Sequence, residues 1–521
     1  MLEKNSQSQT NFTSLLFLDT PTMNSVNKDT LQDLHLEEII ETIVENDPDD
    51  QEFLTSVLKC PLESLQEISY RQEVFVDLQA PVLLDSIKRF TNSIKKVERS
   101  LVTTSKLQYR WYQYRYLLDT SQLYCDTITE LTGVLNERQP TSRGLTELSL
   151  YLDELSDSQR FIDLAQDINQ VTEALKEVQY SMVIDVGRVD VRLYKGESDI
   201  RLRVEKVFNR FMEDDIGTYR QRRLQGPTPY VNHIEAQVLE GVSKLHPKAF
   251  GLLQKFWNKW KEFLDPNILT ITRDLRFYLA VEDLATRLRS SGLNLTLPEI
   301  VANDWLINVD EGFDLALTLK LMKKRQRPVC NDICIGPNKR IAFIVGPNSG
   351  GKTTFARQIG QLLYLAHIGC PVPGDNVQVP LIDNILTIFE RGEAMDNPVG
   401  KLQDELLRLK AVLDEVTPRS LMVLNELFSS TTLQDAQELA HLVIDQLGKV
   451  GAFCVWVTFI DGLSQGVGKA QRFVTQVQPE DPTIRTYKVL AGQATYTGYA
   501  KSIAEKYRLD QASLRRRLWH L

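Results

Sequence analysis

Histidine and cysteine are scarce, with six of each in 521 residues. The cysteines are Cys60, Cys125, Cys330, Cys334, Cys370 and Cys454, and none forms a Cys-x-x-Cys pair. Cys330 and Cys334 stand four apart, but no second Cys or His pair lies nearby to complete a zinc site. Reduced, buried thiols are the plainer reading. A basic excess is also missing. Asp and Glu number 69 against 60 Lys and Arg, a net charge of −9. Nucleic acid would therefore have to be met by a local basic face, because overall charge repels it. No apolar run approaches the roughly 18 residues of a membrane helix. The start, MLEKNSQSQTNF, has no apolar stretch behind a basic head and does not read as a signal peptide. These absences describe a cytoplasmic protein with no membrane segment, no structural metal and no repeat of fixed period.

The apolar share of 42 % and charged share of 25 % are ordinary for a globular protein, and the length allows two to four domains. Residues 1–30 are rich in Asn, Ser, Thr and Gln and read as a loose tail or short extended arm. Residues 31–325 read as mostly helical. LHLEEIIETIV and LLDSIKRFTNSIKKVERSL space apolar residues by three and four. Near 181–245 the texture changes: SMVIDVGRVDVRLYKGESDI alternates and predicts a strand pair, and RLRVEKVFNRFMEDD a charged helix. FGLLQKFWNKWKEFL places Leu253, Phe256, Trp257, Trp260 and Phe263 on one stripe, a core face that Asp265-Pro266 should end. From 326 to 521 the order becomes strand, turn, helix, strand, with strands expected at RIAFIV, LMVL, FCVWVT and TIRTYKVL. The fold class is thus multidomain: a mostly α-helical region followed by an α/β domain with a largely parallel sheet.

The strongest motif is IAFIVGPNSGGKTTFARQIGQLLYL, where residues 346–353 read G-x-x-x-x-G-K-T between an apolar strand and an amphipathic helix. That is the context of a phosphate-binding loop. Glycines let the backbone turn tightly so that successive N–H groups face phosphate oxygens, and the helix N-terminus adds a favourable dipole. Lys352 can reach the β- and γ-phosphates, and Thr353 can ligate Mg²⁺. The second element is SLMVLNELFSS. A P-loop ATPase needs an acid at the end of a neighbouring strand for Mg²⁺, and a base or water-positioning group beside the γ-phosphate. Glu426 can be the base. Asn425 stands where the metal-holding Asp is expected and brings no charge, so metal affinity and hydrolysis should both fall.

With both elements placed, the C-terminal part resembles the ATPase domain of the MutS family of DNA mismatch-repair proteins. PVCNDI resembles the family's P-N-D-I segment, GPNSGGKTTFARQIG its G-P-N-M-G-G-K-S-T loop, and IGCPVPGDN its G-x-F-V-P-A segment. LMVLNELFSSTTLQDAQELA occupies the place of L-x-L-x-D-E-I-G-R-G-T-S-T-F-D-G. YKVLAGQATYTGYAKSIAEKYRL resembles the closing stretch. RQEVFVDL and FYLAVEDLATRL resemble a core and a lever helix, so residues 31–325 correspond to core, levers and a clamp-like insert. The resemblance implies ATP and Mg²⁺ as ligands. Gly346, Pro347, Asn348, Ser349, Gly350, Gly351, Lys352, Thr353 and Thr354 would hold phosphate, with Thr353 and Asn425 at the metal, Glu426 catalytic and Asn331 near the base. Thr431 and Thr432 would reach across a homodimer formed through the ATPase domains to the partner's nucleotide.

The sequence departs from that pattern in several places. Asn425 replaces Asp, Phe428-Ser429-Ser430 replaces Gly-Arg-Gly, and Thr458-Phe459 replaces the Thr-His switch. Three changed hydrolysis elements imply slow or specially regulated turnover. Only a short tail precedes the helical core, which leaves no place for the family's mismatch-reading and connector domains. The one Phe-x-Glu triplet, Phe211-Met212-Glu213, sits mid-chain and reads as chance.

YRQRRLQG offers Arg220, Arg222 and Arg223 in the clamp-like region for sequence-independent contacts to double-stranded DNA. A solvated helix end is the plainer alternative. LQYRWYQYRYLL mixes aromatics with Arg110 and Arg115, as single-strand binders do, but a helix burying one aromatic face while arginines snorkel explains it more simply. LRRRLW reads as a helix C-terminus complementing the dipole. Two readings follow. The first is a MutS-like, DNA-associated ATPase or ATP-gated clamp. The second is an ATP-gated scaffold that binds a protein partner and hardly hydrolyses. A small-molecule kinase fits poorly, because the long helical arms would have no role.

Overall fold

The computed structural model describes residues 12–18, 26–185, 188–196, 233–302, 304–391, 400–460, 462–463, 467–468, 470–481, 484–492, 507–509 and 511–519. The chain divides into two compact units.

One unit comprises Met1–Phe12, Leu78–Thr141 and Leu145–Thr272. Its main elements are two long helices packed along each other, Pro81–Lys106 and Arg110–Arg138. Pro81 pre-sets the first turn, and Leu83, Ile87, Phe90, Ile94 and Val97 form the buried stripe. The aromatic-rich start of the second helix packs inward. Trp111 is buried, meets Phe250 edge-on at 4.9 Å and donates its indole N–H to Glu240 at 2.8 Å. Tyr114 lies 4.9 Å from Trp257. Arg110 pairs with Glu240 and Arg115 with Asp119. The stretch is thus a helix with a buried aromatic face, as the simpler reading had it. The stripe Leu253, Phe256, Trp260 and Phe263 is buried, but its helix, Pro247–Trp260, stops before Phe263. Pro266 opens the next helix, Pro266–Ser290, in the first-turn position where its missing N–H costs nothing. The expected strand pair is an antiparallel hairpin, Tyr180–Asp185 with Arg188–Leu193. The charged helix expected after it lies outside the described residues.

The other unit comprises Thr13–Asp77, Ser142–Gly144 and Arg273–Leu521. Its centre is a six-stranded sheet. The strands are β1 (Ile341–Val345), β2 (Asn384–Phe389), β3 (Ser420–Asn425), β4 (Phe453–Val457), β5 (Ala470–Val477) and β6 (Arg485–Ala491). Their spatial order is β2-β3-β4-β1-β5-β6, parallel except for the β5–β6 pair. Every residue of β1, β3 and β4 is buried, as a sheet covered on both faces requires. The helices α1 (Lys352–His367), α2 (Lys401–Glu415) and α3 (Leu433–Val450) follow β1, β2 and β3. A helix at the C-terminal end, Gln511–Trp519, carries Arg516 and Arg517 in its last turn, where cations suit the dipole.

A smaller sheet orders Glu299–Val301, Asp375–Pro380, Ile307–Gly312 and Asn331–Ile335 side by side. This corrects the helical reading of residues 246–325: three short strands lie between Leu295 and Gly312, before the helix Leu315–Lys323. Strands on either side of residue 326 share this sheet, Ile307 facing Ile335. The early residues are also more engaged than a tail would be. Leu15 and Leu16 are fully buried. Asp274 accepts from Ser14 Oγ at 2.6 Å and from the Leu15 N–H at 2.8 Å. The helix Lys28–Asp33 lies against edge strand β2, where Thr30 Oγ1 donates to the Ile385 carbonyl at 2.9 Å. A covered edge cannot template pairing with another chain.

Candidate nucleotide-binding site

The loop of residues 346–351 joins β1 to α1 at the carboxyl end of the parallel strands. Gly346 and Gly351 have φ of 135° and 96°, which L side chains rarely adopt. Space constrains the loop as well. A Cβ on Gly346 would overlap Thr475 Oγ1 of β5, and one on Gly350 would stand 2.7 Å from the same atom. Thr475 is fully buried, and its hydroxyl has no hydrogen-bond partner among the described residues. The loop therefore lies directly on β5.

Lys352, the first residue of α1, is only 4 % exposed. Its ammonium donates to the Gly346 carbonyl at 3.1 Å and to Asn348 Oδ1 at 3.2 Å, and stands 3.5 Å from Glu426 Oε1. Asn425 ends β3. Its Oδ1 accepts from Thr353 Oγ1 at 3.0 Å. Glu426 follows in the left-handed region at φ 55°, its N–H bonded to the Val457 carbonyl at 2.9 Å. That turn brings the carboxylate to the loop. Lys352, Thr353, Asn425 and Glu426 thus stand together at the loop.

Lys352, Thr353 and Glu426 line a cavity of about 810 Å³, together with Ser349, Gly351, Thr354, Phe355, Asn331 and Val329. Asn331 is in the wall, but its amide is committed: it donates to the Tyr487 carbonyl at 3.2 Å and accepts from the Val489 N–H at 2.8 Å. Two residues of β6 escaped the sequence reading. Tyr487 lines the cavity, half exposed, and offers an aromatic face. Arg485 donates Nε and Nη2 to the Asn348 carbonyl at 3.2 and 3.1 Å. Their i, i+2 spacing in a predicted strand was the available signal.

The three altered positions have distinct settings. Phe428 is fully buried at φ 66°, and its N–H donates to Glu405 at 3.0 Å. Burial pushes the Glu405 carboxyl up. Ser429 Oγ donates to Glu390, whose carboxyl is held down by the hydrogen bond from Lys401. Phe459 is 45 % exposed just beyond β4. Thr432 caps α3, accepting from the Asp435 N–H at 3.2 Å, and Thr431 lies beside it, 3.4 Å from Asp435 Oδ2. Arg220, Arg222, Arg223 and Phe211-Met212-Glu213 lie outside the described residues.

Oxygen donors from Thr353 and Asn425 suit a hard divalent cation, and their 3.0 Å separation matches the edge of a magnesium octahedron, about 2.9 Å. The set fits Mg²⁺ but supplies no charge of its own.

Residues 342–513, which hold the loop, Asn425, Glu426 and β6, match the family model for MutS domain V. The chain is similar to proteins of the MutS family. Among its relatives is the DNA mismatch repair protein MutS of Caldanaerobacter subterraneus subsp. tengcongensis, 23 % identical over 84 % of this chain and 53 % of that protein. Msh2 of Dictyostelium discoideum is 26 % identical over 56 % of this chain and 33 % of its own length. MSH3 of Yarrowia lipolytica is 31 % identical over 40 % of this chain and 21 % of its own. The chain spans about half the length of the first of these MutS-family proteins and less of the others. Among the described residues, no helix is long and apolar enough to cross a membrane.

Proposed function

We propose that this chain binds ATP with Mg²⁺ and hydrolyses it slowly, as a MutS-like ATPase or clamp acting on double-stranded DNA. The observation that supports this best is the assembly of Lys352, Thr353, Asn425 and Glu426 around one phosphate-sized cradle. Backbone N–H groups and Lys352 would bind the triphosphate, and Tyr487 with Val329 would face the base. Thr353 and Asn425 would hold the metal, which supplies charge neutralisation of the phosphates. Glu426 would orient or deprotonate the attacking water. Thr431 and Thr432 would complete the partner's site in a homodimer. Arg220, Arg222 and Arg223 would meet DNA phosphates.

The experiment is steady-state ATP hydrolysis and ATP binding by the purified protein, with and without duplex DNA, beside Lys352→Ala and Glu426→Ala. Lys352→Ala should abolish binding and Glu426→Ala should abolish turnover while sparing binding. Tight ATP binding by Lys352→Ala would remove the loop assignment. Duplex binding that neither weakens with salt nor responds to Arg222→Ala with Arg223→Ala would remove the DNA assignment.

A second reading has its own observation. Asn425 lacks the metal-binding charge, and the exposed ring of Phe459 offers no hydrogen bond. Both favour a scaffold that closes on ATP, holds a protein partner and does not turn over. ATP binding without turnover, with or without DNA, would select it. Cytoplasmic residence belongs to either reading.

A further inference from the structure

The six-stranded sheet ends in an antiparallel pair, β5–β6, that meets the phosphate loop from behind. Three contacts hold that pair in place, and two of them touch the loop itself. Thr475 of β5 lies under Gly346 and Gly350. Asn331 pins β6 through the Tyr487 carbonyl and the Val489 N–H. Arg485 of β6 grips the Asn348 carbonyl with two guanidinium nitrogens, at 3.2 and 3.1 Å.

The third contact acts on one peptide unit. The carbonyl of Asn348 and the N–H of Ser349 belong to the same planar group, so fixing one direction fixes the other. Ser349 has φ 56°, a left-handed conformation that costs a non-glycine residue free energy and persists only where its surroundings enforce it. A carbonyl held by a charged donor is also polarised, which makes the N–H at its other end a better donor. That N–H belongs to a loop whose N–H groups would face phosphate.

We propose that Arg485 is a positioning residue for the phosphate loop: by holding the Asn348 carbonyl it sets Ser349 in the conformation that presents its N–H to nucleotide phosphate. It touches the loop, not the nucleotide. The proposal rests on the reading of this cavity as an ATP site and adds that β6 sets its affinity for phosphate.

The test is competition by ATP, ADP and adenosine against a fluorescent ATP analogue, with thermal melting of every variant. Wild-type displacement by ATP, and its loss in Lys352→Ala, establishes the ATP site independently. Arg485→Met should weaken ATP and ADP about tenfold or more, as expected for losing a charged hydrogen-bond pair, while adenosine changes less than about twofold. Arg485→Lys should recover part of the loss, since an ammonium can still meet one carbonyl. Ser349→Gly in the Arg485→Met background should also recover part, because glycine takes φ 56° without help. Equal loss for adenosine and ATP would overturn the proposal in favour of general damage to the cavity. Unchanged ATP affinity in Arg485→Met would overturn it outright, and no recovery by Ser349→Gly would remove the conformational role. If Arg485→Met melts early, Arg485→Lys carries the same comparison: loss confined to the phosphate-bearing ligands supports the proposal, and loss shared with adenosine overturns it.

Discussion

Thr353 Oγ1 donates to Asn425 Oδ1 across 3.0 Å, joining the first turn of α1 to the end of β3. The two oxygens are spaced as adjacent ligands of magnesium, but neither carries charge. Asn425→Asp keeps the size and adds one negative charge at that position. It should lower the Mg²⁺ concentration for half-maximal ATP hydrolysis about tenfold or more, since unit charges a few ångströms apart interact by several kcal/mol in a partly buried site. Turnover at limiting metal should rise. A metal titration that superimposes on wild type would show that the carboxylate is not what limits this site.

Gly346 is required by both conformation and space. Its φ is 135°, and an added Cβ would overlap the buried Thr475 hydroxyl. Gly346→Ala should cost about 2 kcal/mol or more of stability, from backbone strain and overpacking together, and should remove ATP binding. Chemical denaturation reads the first effect and nucleotide titration the second. A variant that melts and binds like wild type would mean the loop can leave β5 without loss.

The phosphate loop was legible because its logic is local: glycines, lysine and threonine at fixed spacing between a strand and a helix. β1, β3 and β4 were legible as short apolar runs because both faces are covered. β2 and β5 were not, since NILTIF follows a loop without a turn signature and AQRFVTQV is half polar on its exposed part. The strands between Leu295 and Gly312 are only two to six residues long, too short to show a period. Arg485 and Thr475 could not be assigned, because Arg485 meets Asn348 across 137 residues of sequence. Asp274 was hidden for the same reason: in FYLAVEDLATRL and its approach, an aspartate on a helix reads as solvated until the early residues are seen to cover it.

Asp274 carries a pH prediction. Burial raises its carboxyl from 3.8 to about 6, against the opposing pull of Ser14, the Leu15 N–H and Arg71. The folded state therefore binds this proton more tightly than the unfolded chain. Its contribution is fully present below about pH 4 and is lost as pH rises through about 6. The span of about two units corresponds to roughly 3 kcal/mol at most. Asp274→Asn keeps an acceptor for Ser14 and Leu15 but cannot ionise. The stability difference between variant and wild type should thus grow from pH 4 to 6.5 in favour of the variant and be flat above. Parallel profiles from denaturation at several pH values would show that Asp274 is not perturbed.

Phe459 gives the last prediction. It sits just past β4, where Thr458 donates its N–H to the Ile344 carbonyl at 3.1 Å, so its backbone is tied to the strand that carries the phosphate loop. The ring is 45 % exposed and carries no hydrogen-bond donor or acceptor. An imidazole there could hydrogen-bond water or phosphate, and groups placed this way contribute about a hundredfold or more to proton-transfer chemistry. Phe459→His should leave ATP affinity unchanged and raise turnover, by about tenfold in the Asn425→Asp background where the metal is held, and by less alone. The comparison separates the two lesions. A large gain from Phe459→His alone would make the ring the limiting change, and no gain in either background would place the limit at the buried Phe428, whose left-handed backbone and bond to Glu405 shape the segment after Glu426.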